Sequence, residues 1–386
     1  MEIAVTGANG FIGKNLIHNL IYNKKYNVHR ITRKTSKKKI NEILKKSQII
    51  YHFAGVNRPL NKNSFKVDNT GLTKLICDFL IKENLKKQII FSSTIHVTKN
   101  KLHEGSKKKW KINVNTKYVE SKKNCEKMLL DMSKKNDSKI FVLRLPNIYG
   151  KWSKPNYNSV ISTFCNKVAN SKKITISDPD KTINLLYIDD LIKLLKKLAI
   201  NRPVKKFNII KKFDNVKNIS VKKIADIIHN LEDRRKNFFT PEMSSSFIKK
   251  IYSTYISNLP KNRISYLLQS HKDERGSFTE IIKTLKNGQF SYFTAKKGQI
   301  RGRHFHHSKV EKFLVLKGKA KFNLKDISDN KTINFKLDGS NPMIVESIPG
   351  YQHYIENIGN EELLVLLWSN ELFDVDNPDT FIDEKN

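Results

Sequence analysis

The 386-residue chain predicts two domains of different class: an α/β doubly wound parallel sheet, then an all-β barrel. Three observations carry this expectation. A glycine-rich turn joins a strand to a helix at the start of the chain. Strands alternate with helices as far as Glu232, and after Ser265 only short strands separated by turns follow. The second part also holds a histidine-rich segment with a carboxylate close behind it. A chain this long exceeds one ordinary core and accommodates two. The expected extents are residues 1–243 for the first domain, 244–264 for a polar connection and 265–386 for the second.

Residues Glu2 to Thr6 read as a buried strand, and Gly7, Gly10 and Gly13 follow it. Apolar residues then recur at Phe11, Ile12, Leu16, Leu20 and Ile21 with helical spacing. In this context the glycines have a physical purpose. Gly7 permits a tight turn, Gly10 lets backbone N–H groups approach a pyrophosphate, and Gly13 lets the helix pack closely on the sheet. The helix N-terminus adds partial positive charge for the phosphates. A second strand, Val28 to Thr32, leads into Arg33. An acidic residue there binds a ribose 2′-hydroxyl, whereas an arginine suits a 2′-phosphate, so NADPH is expected over NADH. Lys34 and Lys37 add charge but carry less information in so lysine-rich a chain.

Further strands are expected at Gln48 to Phe53 and Gln88 to Phe91, with a helix from Phe65 to Lys82 between them. Chemistry belongs at the carboxyl ends of such strands. Ala54, Gly55, Val56 and Asn57 follow one strand, and Ser92, Ser93 and Thr94 follow the other. Tyr118 and Lys122 open a helix running to Met132, and residues at i and i+4 share a helix face. An ammonium beside a phenol lowers its pKa, so that the phenol can pass a proton to a developing alkoxide. Thr94 or Ser93 is expected to hydrogen-bond the same oxygen.

Together these features resemble the extended short-chain dehydrogenase/reductase family, Rossmann-type enzymes that act on nucleotide sugars. Leu143 to Gly150 and Leu186 to Asp190 support the resemblance. It implies that the first stretch lies beside nicotinamide and substrate, and that the second is a strand-to-helix signature. By this resemblance Thr94, Tyr118 and Lys122 form the catalytic triad, with Thr94 where the family has serine. The implied cofactor site comprises Gly7, Gly10, Phe11, Ile12, Gly13, Arg33, Ala54, Gly55, Ser92, Lys122 and Pro146. Ser93, Asn147 and Asn158 are the implied substrate contacts.

In the second part, strands are expected at Phe278 to Ile282, Gln289 to Thr294, Phe313 to Leu316, Ala320 to Leu324, Met343 to Ile348 and Leu363 to Trp368. Side chains alternate along a strand, so His304 and His306 point to one face and His307 to the other. Glu311 follows at hairpin distance, and His353 can arrive from a neighbouring strand. Three imidazoles and a carboxylate suit a divalent transition metal, Zn²⁺ foremost. The pattern G-x5-H-x-H-x4-E-x6-G from Gly298 to Gly318, followed by P-G-x2-H-x3-N from Pro349 to Asn357, is the two-part signature of a cupin barrel.

An extended reductase fused to a C-terminal cupin resembles the bifunctional sugar-nucleotide reductases of bacterial capsule and O-antigen synthesis. His52 to Pro59, Arg144 to Asn147, Gly150 to Trp152, Pro155 to Ser159, Arg275 to Glu280 and His304 to Phe313 carry that likeness. The resemblance implies a UDP-linked 4-keto-6-deoxy-N-acetylhexosamine substrate. The cupin inverts C3, whose proton is acidic because it is α to a carbonyl, and the first domain then delivers hydride to C4. Tyr351 and Lys312 are the acid/base candidates of the cupin site. Two alternatives stay open: a 4-epimerase or dehydratase with tightly bound NAD, and a reductase whose cupin only binds or dimerises.

The formal net charge of +37 raises the question of nucleic acid. The lysines, however, are scattered through almost every expected helix and loop, whereas a nucleic-acid binder usually concentrates them on one element. The expectation is no nucleic-acid partner, and a positive field that steers an anionic nucleotide. Cys77, Cys125 and Cys165 lack CxxC spacing and point to a reducing compartment. No apolar run reaches the ~20 residues that span a bilayer. A cytoplasmic homodimer without a membrane partner is therefore expected.

Overall fold

The computed structural model describes residues 1–56, 69–98, 116–157, 159–201, 203–376 and 378–382. Two compact units divide the chain: Met1–Ile228 with Lys250–Leu259, and His229–Lys249 with Pro260–Asn386.

The first unit opens with β1 (Glu2–Thr6), α1 (Phe11–Leu20), β2 (Asn27–Ile31), α2 (Lys37–Lys46), β3 (Ile49–His52), α3 (Leu72–Lys82) and β4 (Gln88–Thr94). It continues through α4 (Thr116–Asn136), β5 (Lys139–Leu145), β6 (Asn147–Tyr149), α5 (Val160–Ala169), β7 (Thr182–Tyr187), α6 (Ile188–Ile200), β8 (Phe207–Ile210) and β9 (Lys217–Ser220). Six strands form one sheet in the order β2-β1-β3-β4-β5-β8. Every pairing in it is parallel, as expected for a doubly wound Rossmann sheet.

The inner strands β1, β3, β4 and β5 are buried on both faces, which explains their apolar runs, whereas the edge strands β2 and β8 are largely half-buried or exposed. Ile3, Val5 and Ile90 pack on the side of α1 and α6, while Ala4, Ile89 and Phe91 pack on the side of α2, α3 and α4. Burying each larger side chain of this kind contributes about 1.5–3 kcal/mol. Strand β4 extends to Thr94, so the hydroxyl run expected after the strand lies within it. A small second sheet, β6-β7-β9, includes the Leu186–Asp190 turn into α6. Asp189 and Asp190 there complement the positive end of the helix dipole.

Two helices, α7 (Val221–Lys236) and α8 (Ser246–Ile256), span the division between the units. The polar connection between the expected domains, read as helix-like from the sequence, contains α8. Lys250, from which point α8 counts with the first unit, pairs with Asp190 at 2.7 Å.

The second unit holds β10 (Ser270–Asp273), β11 (Gly276–Lys283), β12 (Gln289–Ala295), β13 (Ile300–His304), β14 (Glu311–Lys317), β15 (Lys319–Asp326), β16 (Thr332–Asp338), β17 (Ile344–Glu346), β18 (Tyr351–Asn357) and β19 (Leu363–Ser369). They form two antiparallel sheets, β10-β11-β12-β19-β14-β17 and β13-β18-β15-β16. One core fills the space between them, with Phe293, Phe313 and Val365 from the first sheet against Phe322, Leu337 and Ile355 from the second. This is the expected all-β cupin barrel. Strand β16 is absent from the sequence expectation although Ile333, Phe335 and Leu337 alternate with polar residues; it is an edge strand with mostly exposed residues. Among the described residues, no helix is long and apolar enough to cross a membrane.

Candidate active site and metal centre

The glycine turn follows β1, the second strand of the parallel sheet, which is flanked by β2 and β3. Gly7 has φ +66°, and a Cβ on it would meet the Ala54 nitrogen at 2.8 Å. A Cβ on Gly13 would lie 2.3 Å from the Gly7 carbonyl oxygen, so both positions exclude any side chain. The Ala54 N–H donates to Thr6 Oγ1 at 3.1 Å, which fixes the end of β3 against the turn. Gly10 begins α1 without a side-chain cap, and Phe11 and Ile12 are half-buried in its first turn. Uncapped N–H groups beside a backbone with no Cβ form a fitting cradle for a dinucleotide pyrophosphate. Beyond β2, Arg33 and Lys34 are exposed on a turn held by Thr35, whose hydroxyl accepts from Thr32 N at 3.0 Å.

Lys122 on α4 is buried, and its Nζ donates to the Ser92 carbonyl at 2.9 Å. A Cβ on Gly55 would lie 3.2 Å from that Nζ, so Gly55 leaves room for the ammonium. Burial pushes Lys122 down to about 8, against the opposing pull of Cys125 and Glu126. Tyr118 lies one turn earlier on the helix. Its pKa is raised, not lowered as the sequence suggested, through burial first and then through Tyr157 and Cys125. Desolvation of the phenol dominates while the neighbouring ammonium is turned to a backbone carbonyl.

Ser93 and Thr94 point to opposite faces of β4. The Ser93 hydroxyl donates to Glu126 Oε1 at 2.5 Å, and Arg144 grips the same carboxylate with Nε at 3.2 Å and Nη2 at 2.7 Å. Thr94 is also buried, and the His96 N–H donates to its Oγ1 at 3.4 Å. Asn69 is a further organiser: Oδ1 accepts from Val56 N at 2.7 Å, and Nδ2 donates to Ser121 Oγ at 2.9 Å. It ties the segment after β3 to α4. Neither the Glu126–Arg144 pair nor Asn69 has a sequence signal, because their partners are distant in the chain. Pro146 is half-buried and Asn147 exposed, with Asn147 Nδ2 donating to the Asn184 carbonyl at 3.4 Å. Asn57 and Asn158 lie outside the described residues.

His52, at the end of β3, is fully enclosed. Thr6 Oγ1 meets its Nδ1 and Thr73 Oγ1 its Nε2, both at 2.8 Å. Burial, helped by the charge of Lys122, pushes its pKa down to about 3. The folded state therefore binds fewer protons than the unfolded chain between pH 6.5 and about 3. The stability that neutral His52 contributes is fully present above pH 6.5 and is lost as pH falls through this window. A variant His52→Gln should flatten the pH dependence of unfolding free energy there by up to one proton, about 1.4 kcal/mol per pH unit. Denaturant titrations from pH 6.5 downward read this directly, and an unchanged slope rules it out.

In the second unit, His304, His306, Glu311 and His353 offer one donor atom each, all within 4.8 Å of one another. Strand β13 ends at His304 and His306 lies just beyond it, yet the two rings are 4.9 Å apart. Register brings in the fourth member, since His304 pairs with His353 across β13 and β18. His306 Nε2 and His353 Nε2 both lie 3.2 Å from Glu311 Oε2. Burial pushes the Glu311 carboxyl up, but the His306 and His353 ring nitrogens beside it and the Lys309 charge outweigh burial and hold the group ionised. Burial pushes His304 down to about 3, and His353 adds to the shift. Among the described residues, His353 Nδ1 is buried without a hydrogen-bond partner. Three imidazoles crowded around an ionised carboxylate, with His306, Glu311 and His353 buried and His304 half-buried, fit a divalent cation with nitrogen preference.

The acid/base candidates fare differently. Lys312 follows Glu311 on the strand, so it points to the opposite face, where it pairs with Glu346. Tyr351 lies two residues before His353, and its hydroxyl is engaged by Asp326. The lysine that does approach the cluster is Lys309, buried with Nζ 3.7 Å from Glu311 Oε1. Its position depends on the path of a loop, which no strand periodicity reveals.

Comparison with known proteins agrees with this division. Residues 3–209 match the model of the NAD dependent epimerase/dehydratase family, and residues 271–381 match the polysaccharide biosynthesis C-terminal domain. The chain is 35% identical over 381 residues to UDP-2-acetamido-2,6-beta-L-arabino-hexul-4-ose reductase of Pseudomonas aeruginosa, covering 99% of this chain and 98% of that one. Among solved structures, capsular polysaccharide assembling protein CapF from Staphylococcus aureus superposes with a TM-score of 0.87 at 34% identity, covering 99% of each chain. UDP-glucuronic acid 4-epimerase from Bacillus cereus, in complex with UDP-glucuronic acid and NAD, shares the fold of the first unit. Its TM-score is 0.55 at 18% identity, over 67% of this chain and 99% of the other. With the glycine cradle, the Tyr118–Lys122 helix and these full-length likenesses in hand, the chain belongs to the NAD dependent epimerase/dehydratase family, in a form that carries a polysaccharide biosynthesis C-terminal domain.

Proposed function

We propose that this protein reduces the C4 ketone of a UDP-linked 4-keto-6-deoxy-N-acetylhexosamine with NADPH, after its cupin barrel has inverted C3. The product is then UDP-2-acetamido-2,6-dideoxy-L-talose, on the route to UDP-N-acetyl-L-fucosamine. The observation that carries this reading is the pairing, in one chain, of a Tyr118–Lys122 helix beside a glycine cradle with a buried three-histidine, one-carboxylate cluster. The likeness to the Pseudomonas aeruginosa reductase over nearly the whole chain supports the substrate class.

NADPH, when bound along Gly7, Gly10 and Gly13, supplies the hydride, and Arg33 is the residue suited to its 2′-phosphate. Burial keeps the Tyr118 phenol protonated at neutral pH, so it holds the proton that the C4 oxygen needs as that carbon becomes a CH–OH centre. Lys122 places positive charge near this proton transfer and favours the phenolate it leaves. Thr94 positions the carbonyl oxygen, because the Ser93 hydroxyl is engaged by Glu126. This removes Ser93 from the proposed substrate contacts and leaves the triad hydroxyl to Thr94.

In the barrel, His304, His306, Glu311 and His353 would hold a divalent metal, which supplies positive charge next to a sugar carbonyl. Lys309 is the basic side chain nearest the cluster and takes the place of Lys312 as candidate base for the C3 proton. Three buried free cysteines support a reducing, cytoplasmic setting. A homodimer is part of this reading.

Incubation with NADPH and the UDP-4-ketosugar in deuterated water tests both reactions together. The expected product is reduced at C4 and carries deuterium at C3, with one NADPH oxidised per product. A reduced product lacking C3 deuterium removes the epimerase step and leaves the barrel a binding module. Protein that purifies charged with NAD⁺ and does not oxidise NADPH is instead a 4-epimerase or dehydratase, the reading favoured by the family description.

A further inference from the structure

The end of the described chain returns to the loop that carries His306. Phe305 and Phe381 form a two-bond antiparallel bridge, with N–H to carbonyl distances of 2.9 and 3.0 Å, and their rings stack at 5.5 Å. Two residues before Phe381, the Asp379 carboxylate closes the loop. Its Oδ1 accepts from His307 N at 2.9 Å, and its Oδ2 accepts from Ser308 N at 2.8 Å, Ser308 Oγ at 2.9 Å and Lys309 N at 2.8 Å. Burial pushes this carboxyl up, but the three backbone N–H groups outweigh burial and hold it well below the usual carboxylate range.

The main chain of Asp379 has a second role. Its carbonyl oxygen pairs with His306 Nδ1. A carbonyl only accepts, so Nδ1 carries the proton and the other ring nitrogen, Nε2, is turned toward Glu311 Oε2. In the neutral ring that nitrogen presents a lone pair to a carboxylate oxygen, an arrangement that a cation between them relieves. Ligand histidines in metalloproteins are oriented in this way by a carbonyl on the far nitrogen. The same carboxylate holds the Lys309 backbone, and Lys309 is the residue beside the other oxygen of Glu311.

We propose that Asp379 is a positioning residue of the metal centre: its carbonyl sets the tautomer and direction of His306, and its carboxylate holds that carbonyl and Lys309 in place through the backbone of residues 307–309. This inference rests on the reading that the four-residue cluster holds a metal.

The test compares full-length wild type with Asp379→Ala and Asp379→Asn, each stripped with a chelator and then titrated with zinc against a chromophoric competitor. Cobalt is added in parallel to read ligand geometry from its visible spectrum. The expected result is stoichiometric zinc in the wild type and about 10–100-fold weaker binding in Asp379→Ala. The cobalt spectrum should change while the far-UV circular dichroism of the apo protein does not. Asp379→Asn keeps the shape but turns a donor toward N–H groups, so it should weaken binding as well. Should the alanine variant fail to fold, the asparagine variant is read by the same criteria. Wild-type affinity and an unchanged cobalt spectrum in the folded variants overturn the role of Asp379 and leave the metal site standing. A wild type that binds neither zinc nor cobalt overturns the metal reading itself.

Discussion

Changing Tyr118 to Phe lowers kcat for ketone reduction by a factor of about 10²–10⁴, the usual contribution of a positioned general acid. At about 1.4 kcal/mol per factor of ten, this corresponds to roughly 3–5.5 kcal/mol of transition-state stabilisation. The hydroxyl is what the change removes, and the ring that fills the site stays. NADPH affinity, read by fluorescence titration, should therefore stay within about twofold of wild type, because the cofactor cradle is built from Gly7, Gly10 and Gly13 rather than from the phenol. The raised pKa of Tyr118 makes the wild-type phenol a full proton reservoir at neutral pH. Activity should instead fall as pH rises past about 8, where buried Lys122 gives up its proton and its charge no longer favours the phenolate. A Tyr118→Phe protein that keeps more than a tenth of wild-type turnover contradicts the assignment.

Replacing His306 and His353 together by alanine removes two of four donors and should reduce bound zinc from about one per chain to a trace, since structural and catalytic sites need at least three protein ligands. The consequence for chemistry is selective. Uptake of deuterium at C3 should cease, while a 4-ketosugar supplied with C3 already inverted should still be reduced, because the proposed reduction relies on Tyr118 and Lys122 instead. Adding a chelator to wild type should produce the same separation. It should also lower the melting temperature of the barrel, as a ligand bound only to the folded state stabilises by RT ln(1 + [L]/Kd). C3 exchange that continues at the wild-type rate in the double variant sinks the idea that the cluster has a part in epimerisation.

Much of this site is local in sequence and was legible there. The three glycines act within one turn, Tyr118 and Lys122 within one turn of helix, and His304, His306 and Glu311 along a single strand-loop-strand stretch. His353 was legible through a second short motif, although only the β13–β18 register brings it to His304. Other features were illegible for the same reason in reverse. Glu126 meets Arg144 and Ser93 from different elements. Asp379 reaches residues about seventy positions earlier. Lys312 looked like a site residue by proximity to Glu311, and the alternation of β14 turned it away.

The sequence by itself determined the two fold classes, the glycine turn after the first strand and the kinds of atom that the histidine-rich segment offers, because backbone freedom, periodicity and donor chemistry are properties of short segments. Only the tertiary structure decided the electrostatics. Whether Tyr118 rises or falls, whether Lys122 drops to about 8, and which tautomer His306 adopts depend on desolvation and on partners far away in the chain. Those are properties of the packed surroundings, which no short segment contains.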